Sequence, residues 1–217
     1  MKHRAICDEC DNNDGSSIVW STGDVQSQLI AVCSCPHGHV TVYGLMHDQF
    51  DVLYTSAVFA FIGSFYSESI LSFTAALERA YEQYIKLYLA KQLLSFELID
   101  KFWKEIENQS ERQYGAFCSA YIATEQKNWT SEQEQVKFRN RVIHKGYICD
   151  PNEATRYAEY VTRKLSDIMR SMKLNFADQK IPLYFHIKGS SKNAIQRAMN
   201  EHAGANFVAT SGPSLLK

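Results

Sequence analysis

Val136-Lys137-Phe138-Arg139-Asn140-Arg141-Val142-Ile143-His144-Lys145-Gly146-Tyr147 is the stretch on which the reading of this chain turns. Lys137, Arg139, Arg141 and Lys145 crowd around one imidazole, and the segment closes on a helix stop signal. Gly146 can take the left-handed conformation that ends a helix, and Pro151 follows shortly beyond. His144 is thereby expected in the last turn, where the helix end favours the imidazolium while the neighbouring cations oppose it. Such a histidine, beside an arginine that grips phosphate in a fork, is the minimum equipment for cutting RNA without a metal. A basic run at a helix C-terminus also suits the dipole alone, so the helical context has to carry the reading.

That context extends on both sides. From Ser64 to Leu94 apolar residues recur at three- and four-residue steps (Phe65, Ile70, Phe73, Leu77, Ala80, Tyr81, Tyr84, Ile85, Tyr88), the pattern of a long helix at the spine of a bundle. Within it the Glu82/Lys86 pair, flanked by Glu78 and Arg79, reads as an exposed face. Ser95 is a candidate N-cap for a second helix through Ile106, and a third runs from about Ser110 to Gln126. Thr130-Ser131-Glu132-Gln133-Glu134 offers a capping box into the helix of Arg139 and His144, and a last long helix follows Asp150-Pro151 to about Leu174. Helices joined by short loops predict an all-α bundle over residues 56–174.

Residues 1–55 read differently. Cys7-x2-Cys10 is followed by Cys33-Ser34-Cys35-Pro36-His37-Gly38-His39, with β-rich stretches between and after (Ser17–Trp20, Leu29–Cys33, Val40–Tyr43) and turn residues at Asn12–Gly15 and Thr22–Asp24. Two metal knuckles on short strands are the layout of a small zinc ribbon, which has too little core to fold without its ion. Cys7, Cys10, Cys33 and Cys35 are the favoured ligands, with His37 next; Cys35 paired with His37 or His39 is the other arrangement. Four protein ligands make a closed, structural site. Cys118 and Cys149 stand apart and read as packing residues.

Residues 175–217 predict a small α/β extension: a strand over Ile181–Lys188, a helix over Lys192–His202 and a strand over Asn206–Thr210, docking on the ribbon or the bundle. Gly189-Ser190-Ser191-Lys192 lacks the full phosphate-loop pattern. The chain is therefore expected to be mainly α, with a small N-terminal β zinc ribbon and a short α/β extension. A formal net charge of −1 leaves no global attraction for nucleic acid, so any RNA site must be a local basic patch. The chain shows neither a signal peptide nor an apolar run long enough to span a bilayer, and is expected in the cytoplasm.

Arg139-Asn140-Arg141-Val142-Ile143-His144 fits the R-x4-6-H signature of the HEPN superfamily (higher eukaryotes and prokaryotes nucleotide-binding), with a polar residue directly after the arginine. The stretches Ala75–Glu82 and Ser110–Phe117 also resemble that family, over residues 60–172 in all. The resemblance implies a four- or five-helix bundle that usually dimerises, and in many members a metal-independent endoribonuclease of toxin–antitoxin or antiviral systems. Arg139 would bind the scissile phosphate, and His144 would act as acid or base while the ribose 2′-hydroxyl attacks, leaving a 2′,3′-cyclic phosphate. Asn140 would orient the pair or bind phosphate. Partners implied are RNA, a second copy of the chain, and an antitoxin or sensor protein; other members are non-catalytic interaction or nucleic-acid-binding modules. On a regular helix, residues five apart differ by about 140° in direction, so Arg139 and His144 do not share a face; they can converge if the last turn unwinds at Gly146, or if each completes a site with the partner subunit. Some family members carry a tyrosine two residues after the histidine, where this chain has Gly146 before Tyr147.

Overall fold

The structure, a computed structural model, describes residues 2–14, 18–26, 29–45, 48–202 and 205–210. The chain is mainly helical with a small β-sheet, and divides into two compact units. One is Gln49–His186; the other joins Met1–Asp48 to Ile187–Lys217. The segment from Ile187 thus belongs to the same unit as the N-terminal residues, and the division falls at 48 and 186, where 55 and 174 were expected.

In the helical unit, α3 (Tyr66–Lys91), α4 (Phe96–Ile106), α5 (Ser110–Glu125), α6 (Gln133–Lys145) and α7 (Pro151–Asn175) follow the expected order, with α3 as spine, and α2 (Gln49–Ile62), not expected from the sequence, precedes them. Ile70, Phe73, Ala76, Leu77, Ala80, Tyr84 and Leu87 of α3 are buried at the predicted helical spacing, which gives the unit one continuous core. Tyr81, Tyr84, Phe117, Tyr121 and Trp129 interlock edge-on or stacked, with Tyr81 and Phe117 centroids 4.3 Å apart. Buried hydroxyls are paired across helices: Thr74 Oγ1 with Tyr157 Oη at 2.8 Å, and Tyr84 Oη with Ser171 Oγ at 3.0 Å.

Caps define the helix ends. Ser95 accepts from the Leu98 amide at 3.3 Å, as expected. No side chain caps α6 at Glu132; the capping box belongs to α7, where Asp150 and Glu153 bond reciprocally and Pro151 sits at the first turn. The face around Glu82 is also not exposed. Its carboxylate lies between Arg79 (2.5 Å) and Lys86 (2.7 Å), and both cations stand over the Trp103 ring of α4. Helix α4 therefore covers what reads in sequence as a solvated stripe.

The other unit is a five-stranded sheet in sequence order: β1 (Lys2–Ile6), β2 (Trp20–Val25), β3 (Ile30–Ser34), β4 (Val40–Leu45) and β5 (Asn206–Thr210). The first four are antiparallel and β5 adds parallel to β4. Thr22-Gly23-Asp24 is not a turn but the middle of β2. A Cβ on Gly23 would stand 1.9 Å from the Val32 carbonyl oxygen, a close approach only glycine allows. Of the turn expected at Asn12–Gly15, residues 12–14 belong to the short helix α1 (Asp8–Asp14), and Gly15 lies outside the described residues. Strand alternation divides β3: Ile30 and Val32 pack with Val42, Ile195, Ala198 and Met199, whereas Ala31 and Cys33 pack with Tyr43 and Leu45.

Helix α8 (Ala177–Glu201) is divided between the units at His186. It occupies the segment Ile181–Lys188 that alternates like a strand, and Gly189–Lys192 is helical rather than a loop. Leu183 and His186, three residues apart, are drawn to one side: Leu183 is buried, and His186 stacks on Phe96 (4.6 Å) and bonds Asp100 at 2.8 Å. These long-range contacts override the local alternation.

Candidate functional site

Two sites stand out, one in each unit. In the helical unit a cleft of about 450 Å³ is walled by α3, α5, α6 and α7. All three residues of the hexapeptide on which the sequence reading rests, Arg139, Asn140 and His144, line it, together with Glu78 of α3 and Glu111 of α5. Its floor is tyrosine-rich, formed by Tyr81, Tyr114, Tyr157 and Tyr160. Burial pushes the Tyr157 and Tyr160 hydroxyls up to about 12, so both stay protonated donors near neutral pH.

The pitch of α6 explains how the arginine and the histidine come to line one cleft. Phe138 and Val142, four apart, are the buried anchors. Val136, Asn140 and His144 form the adjoining row at four-residue steps, and this row faces the cleft. Arg139 starts one row aside, but its side chain crosses over: Nη1 donates to Asn140 Oδ1 at 2.8 Å and Nη2 to Glu78 Oε1 at 2.8 Å. The helix stays regular to Lys145 and ends on Gly146 at φ 62°. The last turn does not unwind before Gly146, and Arg139 and His144 of one chain both line the cleft.

Arg139 is half-buried, whereas His144, Lys137, Arg141 and Lys145 are exposed, and Arg141 is turned to Glu153 (3.5 Å). Tyr147 is not among the cleft residues. Its ring lies under Arg141 (4.3 Å) and its hydroxyl donates to both Glu153 oxygens (3.1 and 3.0 Å), so it secures the α6–α7 turn.

The second site is a cluster of Cys7, Cys10, Cys35 and His39, whose ligand atoms all lie within 4.8 Å of one another and can hold a metal ion. Cys7 lies between β1 and α1 and, with Cys10 one helical turn on, is fixed by α1; the Cys7 carbonyl accepts from the Cys10 and Asp11 amides (3.1 and 3.0 Å). Cys35 and His39 flank a tight turn, closed by the Gly38 amide on the Cys35 carbonyl (3.0 Å), with Pro36 inside it and Gly38 at φ 86°. Cys10 Sγ is 3.8 Å from Cys35 Sγ and 3.2 Å from His39 Nδ1.

Cys33, expected as a ligand, is not in the cluster. Strand alternation turns it into the core beside Tyr43, and burial with Asp24 nearby pushes its thiol up to about 11. His39 takes its place. His37 Nδ1 also comes within 3.2 Å of Cys10 Sγ, but that residue is exposed and outside the four-atom group. Burial and the adjacent thiols push Cys10 up to about 12. Cys35, for which burial is the largest influence and acts upward, is brought net down to about 7 by the His39 and His37 amides and the neighbouring thiols.

Two acidic residues escaped the sequence reading. Glu9 Oε2 lies 3.5 Å from His39 Nε2, and its signal was adjacency to Cys10. Glu78 shares one helix face with Thr74, Leu77 and Tyr81, and only tertiary structure reveals its arginine partner, 61 residues away. Among known proteins, no family model, no curated protein and no solved structure matches the chain.

Proposed function

We propose that the chain is a metal-independent endoribonuclease of the HEPN type, cleaving RNA to a 2′,3′-cyclic phosphate and a 5′-hydroxyl. The observation that carries this reading is that Arg139, Asn140 and His144 line one cleft in a helical unit. Arg139 supplies a fork for the scissile phosphate, Asn140 a second polar contact and His144 the proton transfer. The chain acts as a homodimer in antiviral defence or as a toxin, in the cytoplasm, under the control of an antitoxin or sensor protein. Among the described residues no helix is long and apolar enough to cross a membrane.

The Cys7/Cys10/Cys35/His39 cluster holds a structural zinc ion. Zn–S bonds of about 2.3 Å and Zn–N bonds of about 2.0 Å give tetrahedral edges of roughly 3.8 and 3.5 Å. The distances of 3.8 Å between Cys10 and Cys35 and 3.6 Å between Cys35 and His39 fit. Glu9 on Nε2 leaves the His39 Nδ1 lone pair for the metal, the usual carboxylate support of a ligating histidine.

One observation favours a second reading, a non-catalytic HEPN module that binds nucleic acid or a partner protein. Glu78 and Glu111 share the cleft with Arg139, so the cleft is not strongly positive. Incubating the purified full chain and its His144→Ala variant with total RNA, without added divalent ions, separates the two. New ends from the wild type alone support the ribonuclease; RNA binding without new ends supports the module.

A further inference from the structure

We propose that Glu78 is a catalytic residue of the cleft, the general base for the ribose 2′-hydroxyl, with His144 as the acid; this rests on the ribonuclease reading above. Cleavage by internal attack requires two proton transfers. A base removes the proton of the 2′-hydroxyl, and an acid protonates the departing 5′-oxygen. A lone histidine cannot perform both in one step, and the hexapeptide contains only one.

Glu78 supplies the missing group within the same chain. Its Oε1 accepts from Arg139 Nη2 at 2.8 Å, while Oε2 accepts no hydrogen bond from the described residues. The side chain is 30% exposed and lines the cleft with His144, so the open oxygen is reachable by a ligand. Arg139 spends one N–H on Glu78 and one on Asn140, and a guanidinium has five. The remaining N–H groups serve a phosphate, and the Asn140 amide nitrogen is left as a further donor because its oxygen is already engaged.

The chemistry of RNA then places the hydroxyl. The 2′-oxygen sits on the ribose whose 3′-oxygen carries the scissile phosphate. An arginine bridging that phosphate and Glu78 therefore holds the 2′-hydroxyl near the carboxylate. Glu78 takes the 2′-proton, and the 2′-oxygen bonds to phosphorus. The bond from phosphorus to the 5′-oxygen breaks, and the His144 imidazolium delivers its proton to that oxygen. The products are a 2′,3′-cyclic phosphate and a 5′-hydroxyl. Glu111 is the less suited carboxylate, being exposed and unpaired with Arg139 among the described residues, and the tyrosine hydroxyls of the floor are too weakly acidic to act as anions.

Glu78→Gln tests this, since the amide still accepts from Arg139 but cannot take a proton. The full zinc-loaded chain, Glu78→Gln and His144→Ala are compared for cleavage of a mixed-sequence RNA and for binding of its uncleavable 2′-O-methyl counterpart. Melting curves verify that each variant is folded. Glu78→Gln is expected to slow cleavage by roughly 10²- to 10⁴-fold, the span of general acid–base catalysis, while binding the 2′-O-methyl RNA as tightly as wild type or tighter. Wild-type cleavage rates in Glu78→Gln would overturn the proposal. So would loss of binding in proportion to loss of cleavage, which would make Glu78 only a support for Arg139. Full cleavage by His144→Ala, or none by wild type, would remove the ribonuclease reading and this proposal with it.

Discussion

Replacing Gly146 by alanine tests the end of the helix that carries His144. The residue sits at φ 62° and ψ 28°, and a Cβ built on it meets nothing within 4 Å. Steric overlap is thus absent, and only backbone conformation contributes. Holding an alanine in the left-handed region costs roughly 1–2 kcal/mol. The loss of chain freedom in the unfolded state offsets about 0.4–1 kcal/mol of that. The net expectation for Gly146→Ala is a destabilisation of about 1 kcal/mol, and for Gly146→Asn clearly less, because asparagine tolerates this region. Urea unfolding followed by the fluorescence of Trp103 and Trp129, both in the helical unit, measures it. In a domain of this size the shift corresponds to about 2–4 °C in Tm. An alanine variant as stable as wild type would refute the left-handed cap, and with it a helix that stops directly after Lys145.

Metal content distinguishes the ligands: His39→Ala should lose bound zinc by elemental analysis, whereas Cys33→Ala should retain it. Asp150→Ala removes the N-cap side chain of α7 and should cost about 1 kcal/mol in the same urea assay. Alkaline pH should destabilise the helical unit. Burial raises Tyr157 and Tyr160 from 10.0 to about 12 in the folded state, so above pH 10 the unfolded chain binds fewer protons, and stability should fall between pH 10 and 12 in a series of urea midpoints.

Much of the helical unit was legible because its signals are local. The α3 stripe, the Ser95 cap and the Gly146 stop each lie within a few residues of what they determine. Where reading failed, a distant contact had overridden local pattern. Gly23 looks like a turn residue but makes room for the neighbouring strand β3, and residues 181–188 alternate like a strand but become helical where Leu183 is buried and His186 meets α4. Cys33 and Cys35 look equivalent in sequence. Only the end of β3 between them decides that one thiol faces the core and the other the metal cluster. The hexapeptide at 139–144 is legible in the sequence, but Glu78 reads there only as part of an exposed face, because pairing with Arg139 across 61 residues leaves no local trace.

The most direct test of the account is the chemistry of the ends made from a defined RNA by the full chain, without added divalent ions. The account predicts 2′,3′-cyclic phosphate and 5′-hydroxyl ends, no cleavage of the same RNA carrying 2′-O-methyl groups, and none by His144→Ala. Ends bearing a 3′-hydroxyl, cleavage of the 2′-O-methyl RNA, or undiminished cleavage by His144→Ala would contradict it.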